Sequence, residues 1–184
     1  MSTKLTKIFK YAAIAIGFFV AFILVAAFFT DTEYSVERSV IIDRPAPEVF
    51  DHIRYLRNQN EFSAWGTKDP NMQLEYRGKD GTVGAVSAWE GNEDVGKGEQ
   101  EIVRILENRR IDFELRFIEP FEVTADAYLI TDSMSENDTR VTWGFNGQMP
   151  RPMNLMLLFM NMEEMIGSDL EEGLTRLKDK LETD

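Results

Sequence analysis

Apolar residues follow three different patterns along this chain. The first is continuous. Tyr11 to Phe29 is a 19-residue run without a charged side chain. As a helix it is ~28 Å long, about the thickness of a bilayer's hydrocarbon core. All its faces are apolar, which suits lipid better than a one-sided protein core. The second pattern is alternation. Ile111, Phe113, Leu115 and Phe117 alternate with Arg110, Asp112, Glu114 and Arg116, and Val141, Trp143 and Phe145 repeat the pattern within 139–147. Such alternation predicts strands of a sheet that is wet on one face. The third pattern has three- and four-residue steps. Leu155, Phe159, Met162, Ile166, Leu170, Leu174, Leu177 and Leu181 predict one long helix from Pro152 to Glu182.

Shorter signals fill the interval. Tyr34 to Ile42 reads as a strand with Val36, Val40 and Ile42 on one face. Pro47 suits a first helical turn, and Val49, Phe50 and Ile53 give that helix an apolar stripe. Residues 56–62 read as a second short helix. Turn signals at 77–81, 91–98, 107–109, 119–120 and 132–138 then separate a series of strands. The predicted order is one strand, two short helices, about six antiparallel strands and a long helix. A curved sheet wrapped around that last helix buries these faces. The expected class is α+β, about seven strands and a C-terminal helix, preceded by one transmembrane helix.

Charge orients the first segment. Lys4, Lys7 and Lys10 precede the run, and Asp31 and Glu33 follow it. Positive flanks stay cytoplasmic, which puts the N-terminus inside and the domain outside. A cleaved signal has an apolar core of ~7–15 residues ending in small side chains. This run is longer and ends in Phe28 and Phe29, so an uncleaved anchor is the preferred reading. The expected divisions are a cytoplasmic segment 1–10, an anchor 11–29, a linker 30–33 and one domain 34–184. Beyond the run lie all 32 acidic residues and 17 of the 20 basic ones, a net charge of −15. That balance argues against nucleic acid as a partner and against flat adhesion to anionic headgroups. The chain has no cysteine, hence no disulfide, thiol nucleophile or thiolate metal site.

Two motifs are weaker than they look. Gly91 to Gly98 approaches a phosphate-binding loop, but Gly98 stands where magnesium needs Ser or Thr, and Glu93 and Asp94 would repel phosphate. It reads as a hairpin turn. His52, the single histidine, follows Asp51, which as its immediate neighbour on a helix does not face it, and it reads as a surface residue. No metal or cofactor is expected.

The apolar residues carry more. Met149, Met153, Met156, Met160, Met162 and Met165 place six of the nine methionines within 17 residues. They read either as gap-filling core or as an adaptable cavity wall. The rings of Trp65, Trp89, Trp143, Phe113, Phe117 and Phe145 fall on predicted inward faces, with Gln100 as a polar anchor. They too read as core or as cavity lining.

The order of elements resembles the START-like, helix-grip superfamily. The match is to its SRPBCC group of polyketide cyclase/dehydrase and lipid-transport proteins. The residues carrying it are Val36 to Phe50, with a strand entering a Pro-x-Val-Phe helix start, then Phe62-Ser63-Ala64-Trp65 and Val83-Gly84-Ala85. Trp89-Glu90-Gly91-Asn92, Gly96-Lys97-Gly98, Glu107 to Arg110, Thr139 to Trp143 and Glu172 to Lys178 follow in order. The resemblance covers nearly all of 34–182. It implies a cavity roofed by the last helix, and Trp65, Trp89, Gln100, Phe113, Phe117, Trp143, Phe145, Met153, Met156 and Met160 are its expected lining. Three functions are open. The first is a membrane-anchored module for a hydrophobic or amphipathic small molecule, lipid-like or polyketide-like. The second is a cyclase- or dehydratase-type enzyme using a cavity carboxylate or tyrosine, with Glu75, Tyr76 and Tyr128 as candidates. The third is a ligand-free interaction domain. Fold alone does not choose between them.

Overall fold

The computed structural model describes the backbone of residues 2–183 and the side chains of residues 7–183. Lys4, used above to orient the chain, lies outside the described side chains, and residue 1 of the N-terminal segment lies outside altogether. The chain forms two compact units. One joins its N-terminal helix to residues 149–161, and the other comprises residues 34–148 and the C-terminal helix.

The first unit is built on helix α1 (Ser2–Phe29). Within it, Lys7–Phe29 is long and apolar enough to cross a membrane, and its side chains are almost all exposed. Residues 149–161 contain a 3₁₀ turn, Met153–Leu158. This corrects the expected helix over 152–182. The Asn154 side chain is tied to carbonyls at the end of α1, and the helical run breaks at 159–161 before α5 starts at Met162. The apolar spacing of Leu155 and Phe159 was therefore coincidental to helical periodicity, and Phe159 is 89% exposed.

The second unit contains β1 (Glu33–Ile42), α2 (Ala46–Ile53), α3 (Leu56–Phe62) and a single turn α4 (Trp65–Lys68) that the pattern did not predict. Then come β2 (Gln73–Arg77), β3 (Val86–Glu90), β4 (Lys97–Leu106), β5 (Arg110–Glu119), β6 (Val123–Ser133), β7 (Thr139–Gln148) and α5 (Met162–Thr183). Asn161, a residue type favoured at helix N-caps, immediately precedes α5, and Glu163 and Glu164 suit its positive end. The seven strands form one curved antiparallel sheet in the order β1-β7-β6-β5-β4-β3-β2. Consecutive hairpins from β2 to β7 produce that order, and β1 returns to β7. This is the helix-grip α+β architecture expected from the alternating segments.

The core lies between the sheet's inner face and the helices. Ile102, Ile111, Leu129 and Val141 of the sheet close against Val49, Phe50 and Ile53 of α2 and Leu174, Leu177 and Leu181 of α5. Packing loosens toward the start of α5. Leu115 and Phe117 continue the inward alternation of β5 but remain half-buried. Their side chains face a space that Ile166 and Leu170 border without filling.

On the outer face, Arg116 binds Glu99, Glu101 and Glu114, and Arg77 also binds Glu99. The Arg116 bonds to Glu99 and Glu101 join β5 to β4, the bond to Glu114 runs along β5, and all are pairs of opposite charge at a wet surface. The Arg116 guanidinium is held firmly protonated by its three carboxylates. Hydrogen bonds from Arg116 and then Arg77 lower the Glu99 pKa.

Candidate functional site

The unfilled space is a cavity of about 400 Å³. That lies within the range of small-molecule pockets, ~300–1,000 Å³. Its floor is the inner face of the sheet: Gln100 of β4, Leu115 and Phe117 of β5, Val123 and Ala127 of β6, and Trp143 and Phe145 of β7. Tyr34 of β1 and Ile166 and Leu170 of α5 form a second side. Gln59, Asn60, Ser63, Trp65 and Gly66 add a third from α3 and α4. The β3–β4 hairpin turn contributes Glu93, Asp94, Val95 and Gly96, and the β5–β6 turn contributes Glu119, Pro120 and Phe121. Glu93, Asp94, Glu119 and Phe121 are exposed and mark the rim.

The rings are held in fixed orientations. Trp65 and Trp143 meet edge to face at 6.1 Å, and Phe62 meets Trp143 at 5.7 Å. Trp89 meets Phe117 at 5.8 Å, also edge to face. Such geometries satisfy the ring quadrupoles. The Trp89 indole N–H donates to the Val95 carbonyl at 3.1 Å, so its polar atom is spent on the turn and its ring is free to face the cavity. Two glycines make these placements possible. A Cβ at Gly98 would lie 2.5 Å from the Trp89 ring and 2.7 Å from the Arg116 carbonyl oxygen. A Cβ at Gly173 would lie 2.7 Å from Trp143.

Three polar side chains of the wall, Gln59, Asn60 and Gln100, are hydrogen-bonded within the protein. Gln100 donates through Nε2 to Gln59 Oε1 at 2.7 Å, and Gln59 donates to the Ile53 carbonyl at 2.8 Å. Asn60 donates to the Tyr76 hydroxyl and to Ser87, each at 2.8 Å. Tyr34 differs: its hydroxyl makes no hydrogen bond among the described residues. Burial raises its pKa above the ordinary tyrosine value, so at neutral pH it is a phenol able to donate a hydrogen bond. Tyr34 stacks on Phe145 with centroids 6.2 Å apart.

This arrangement buries apolar surface and offers few polar contacts. Its carboxylates, Glu93, Asp94 and Glu119, stand at the exposed rim. Glu75 and Tyr76 do not line the cavity. Tyr128 points from the opposite face of β6, where it donates to Glu37 and carries the Arg110 guanidinium on its ring. Its pKa is pushed up to about 12 by burial and by the Glu37 carboxylate. Among the described residues no three metal-ligating side chains converge.

The sequence model for polyketide cyclase / dehydrase and lipid transport proteins matches residues 33–182. The chain belongs to this family. None of the curated proteins compared with it matches in sequence. Solved structures extend the family's likeness by fold. A Nitrosospira multiformis protein is 17% identical with a TM-score of 0.57, covering 80% of this chain and 95% of its own. A Thermus thermophilus protein is 15% identical with a TM-score of 0.59, covering 82% and 98%. Norcoclaurine synthase from Thalictrum flavum, solved with dopamine and hydroxybenzaldehyde, is 9% identical with a TM-score of 0.60, covering 84% and 90%. Such identities speak for the fold alone.

Against this family frame, the ten expected lining residues divide by location. Trp65, Trp89, Gln100, Phe117, Trp143 and Phe145 lie on the cavity wall. Phe113 does not: it is closed inside the core, its strand position being one step nearer the packed end of the sheet. Met153, Met156 and Met160 are also off the wall. They belong to the unit of α1, which takes residues 149–161. The residues that sequence reasoning missed are Tyr34, Gln59, Ala127 and the hairpin turn at 93–96. Leu115, Ile166 and Leu170 carried a signal, since they sit in the alternation and the helical stripe already read as inward. Tyr34 carried the same signal, two residues from Val36 on one strand face, whereas Gln59 carried none, because its approach depends on how α3 is placed.

Proposed function

We propose that this chain is a membrane-anchored binding protein for a hydrophobic or amphipathic small molecule, lipid-like or polyketide-like, held between the sheet and α5. The observation that carries this reading is the cavity of about 400 Å³ walled by three tryptophans, phenylalanines and aliphatic side chains. Binding rests on removal of apolar surface from water, with the Tyr34 hydroxyl as the available polar contact. The family's description, which includes lipid transport, agrees with such a cargo. The length and composition of Lys7–Phe29 support the anchor, and the flanking lysines support an extracytoplasmic domain. The enzyme reading needs a carboxylate or tyrosine acting at the cavity with a partner in reach. The Tyr128–Glu37 pair meets that description on the wrong face of the sheet.

The test uses the tryptophans themselves. All three in the chain line the cavity, so a naphthalene-type probe bound there accepts energy from them. The full chain in phospholipid vesicles should show saturable transfer, which free lipid cannot give. Absence of saturable transfer with any apolar probe contradicts the proposal.

A further inference from the structure

The unit built on α1 contains a feature that the cavity does not use. Residues 149–161 are fixed to the last turn of α1 by side-chain capping. Asn154, fully buried, donates through Nδ2 to the Ala27 carbonyl at 2.8 Å and the Thr30 carbonyl at 2.9 Å. Arg151 donates through Nε to the same Ala27 carbonyl at 3.0 Å and lies over the Phe28 ring. The Met149 N–H donates to the Thr32 carbonyl at 2.7 Å. The last carbonyls of a helix have no intrahelical donor, and this segment supplies donors from far along the chain.

The same segment exposes apolar side chains. Met153 is 41% exposed, Met156 48%, Leu158 64% and Phe159 89%. They stand on the unit whose helix is itself an apolar surface ending in the exposed rings of Phe28 and Phe29. Charge separates the segment from the rest of the chain after α1. It holds no carboxylate and one cation, Arg151, whereas the chain beyond the apolar run carries −15 overall. A stretch that is apolar, carboxylate-free and tied to the end of a spanning helix fits the boundary between headgroups and acyl chains.

We propose that residues 149–161 are a second membrane contact, a ledge that dips Leu158 and Phe159 into the lipid interface beside the exit of α1. The proposal rests on the reading that α1 spans the bilayer. The occupant of this apolar surface is lipid, because the surface continues that of α1 and meets the same medium.

The chain has no cysteine, so one introduced thiol carries one spin label. Four variants of the full chain are reconstituted in vesicles of phosphatidylcholine and phosphatidylglycerol: Ile16→Cys, Leu158→Cys, Phe159→Cys and Glu136→Cys. All four positions are exposed. Relaxation by oxygen, which concentrates in lipid, is compared with relaxation by an aqueous nickel chelate. Labels at 158 and 159 should favour oxygen, as the label at 16 does, while the label at 136 favours nickel. If 16 favours oxygen and both 158 and 159 behave like 136, the ledge is overturned and the anchor stands. If 16 itself favours nickel, the anchor fails and the ledge with it.

Discussion

Replacing Ala127 by phenylalanine separates an open receptor from a packed core. Ala127 sits on the inner face of β6 in register with Phe113 on one side and Phe145 on the other, and it borders the cavity. Ala127→Phe adds a six-carbon ring, small against a space of about 400 Å³. A ligand that loses room for about six atoms, at ~0.3 kcal/mol per atom, loses about 2 kcal/mol of binding. That is roughly 25-fold in affinity. Stability should change little, because burying the new ring in an apolar void offsets its ordering. If the site were close-packed, overpacking would cost ~1–3 kcal/mol. For a chain of this size that is a fall in Tm of roughly 2–12 °C. The assay is tryptophan-to-probe energy transfer in vesicles, with a thermal melt of each variant. Met156→Phe, off the cavity wall, is the control and should leave probe affinity unchanged. A large fall in Tm with unchanged probe binding would refute the reasoning, because it would mean that the probe and the ring occupy different places.

Other expectations follow from single contacts. Gly98→Ala should destabilise the domain by ~1–3 kcal/mol, since its Cβ would meet both the Trp89 ring and the Arg116 backbone carbonyl; an unchanged melt would show that Trp89 is not held against β4. Glu99 is a depressed carboxylate, so its contribution is full above its unfolded pKa of ~4.3 and is lost as pH falls through the lower folded value. Glu99→Gln should therefore lose less stability than the parent between pH 5 and pH 2, and identical pH slopes would mean that the Arg116 and Arg77 bonds do not form in solution. Protease added to intact bacterial spheroplasts expressing the chain should digest the domain, whereas protection until lysis would reverse the orientation drawn from Lys4, Lys7 and Lys10.

The helix-grip body was legible because its elements obey simple periods. Residues 110–117 alternate cleanly, since one face of β5 is wet, and the Leu170–Leu181 stripe repeats because α5 presents one face to the sheet. The wall residues of β4, β5 and β7 follow from that alternation. Met153, Met156 and Met160 fall in the unit of α1, apart from the unit that contains the cavity. Periodicity records which residues avoid water but not what covers them. At 149–161 the chain is tied to the end of α1 by Asn154, and the helical run breaks at 159–161 where hydropathy alone would continue a helix. Phe113 shows the finer limit. It shares a face with Leu115 and Phe117, yet two residues along the strand separate closed core at Phe113 from open cavity at Leu115.

The central claim is that the cavity holds a small apolar molecule. Native mass spectrometry of the full chain, purified without added ligand and released gently from its membrane mimic, tests it most directly. The account predicts a discrete adduct of one small molecule per chain that diminishes in Ala127→Phe and survives in Met156→Phe. A bare chain mass, together with no ligand recovered on soaking with lipid extract, would contradict it.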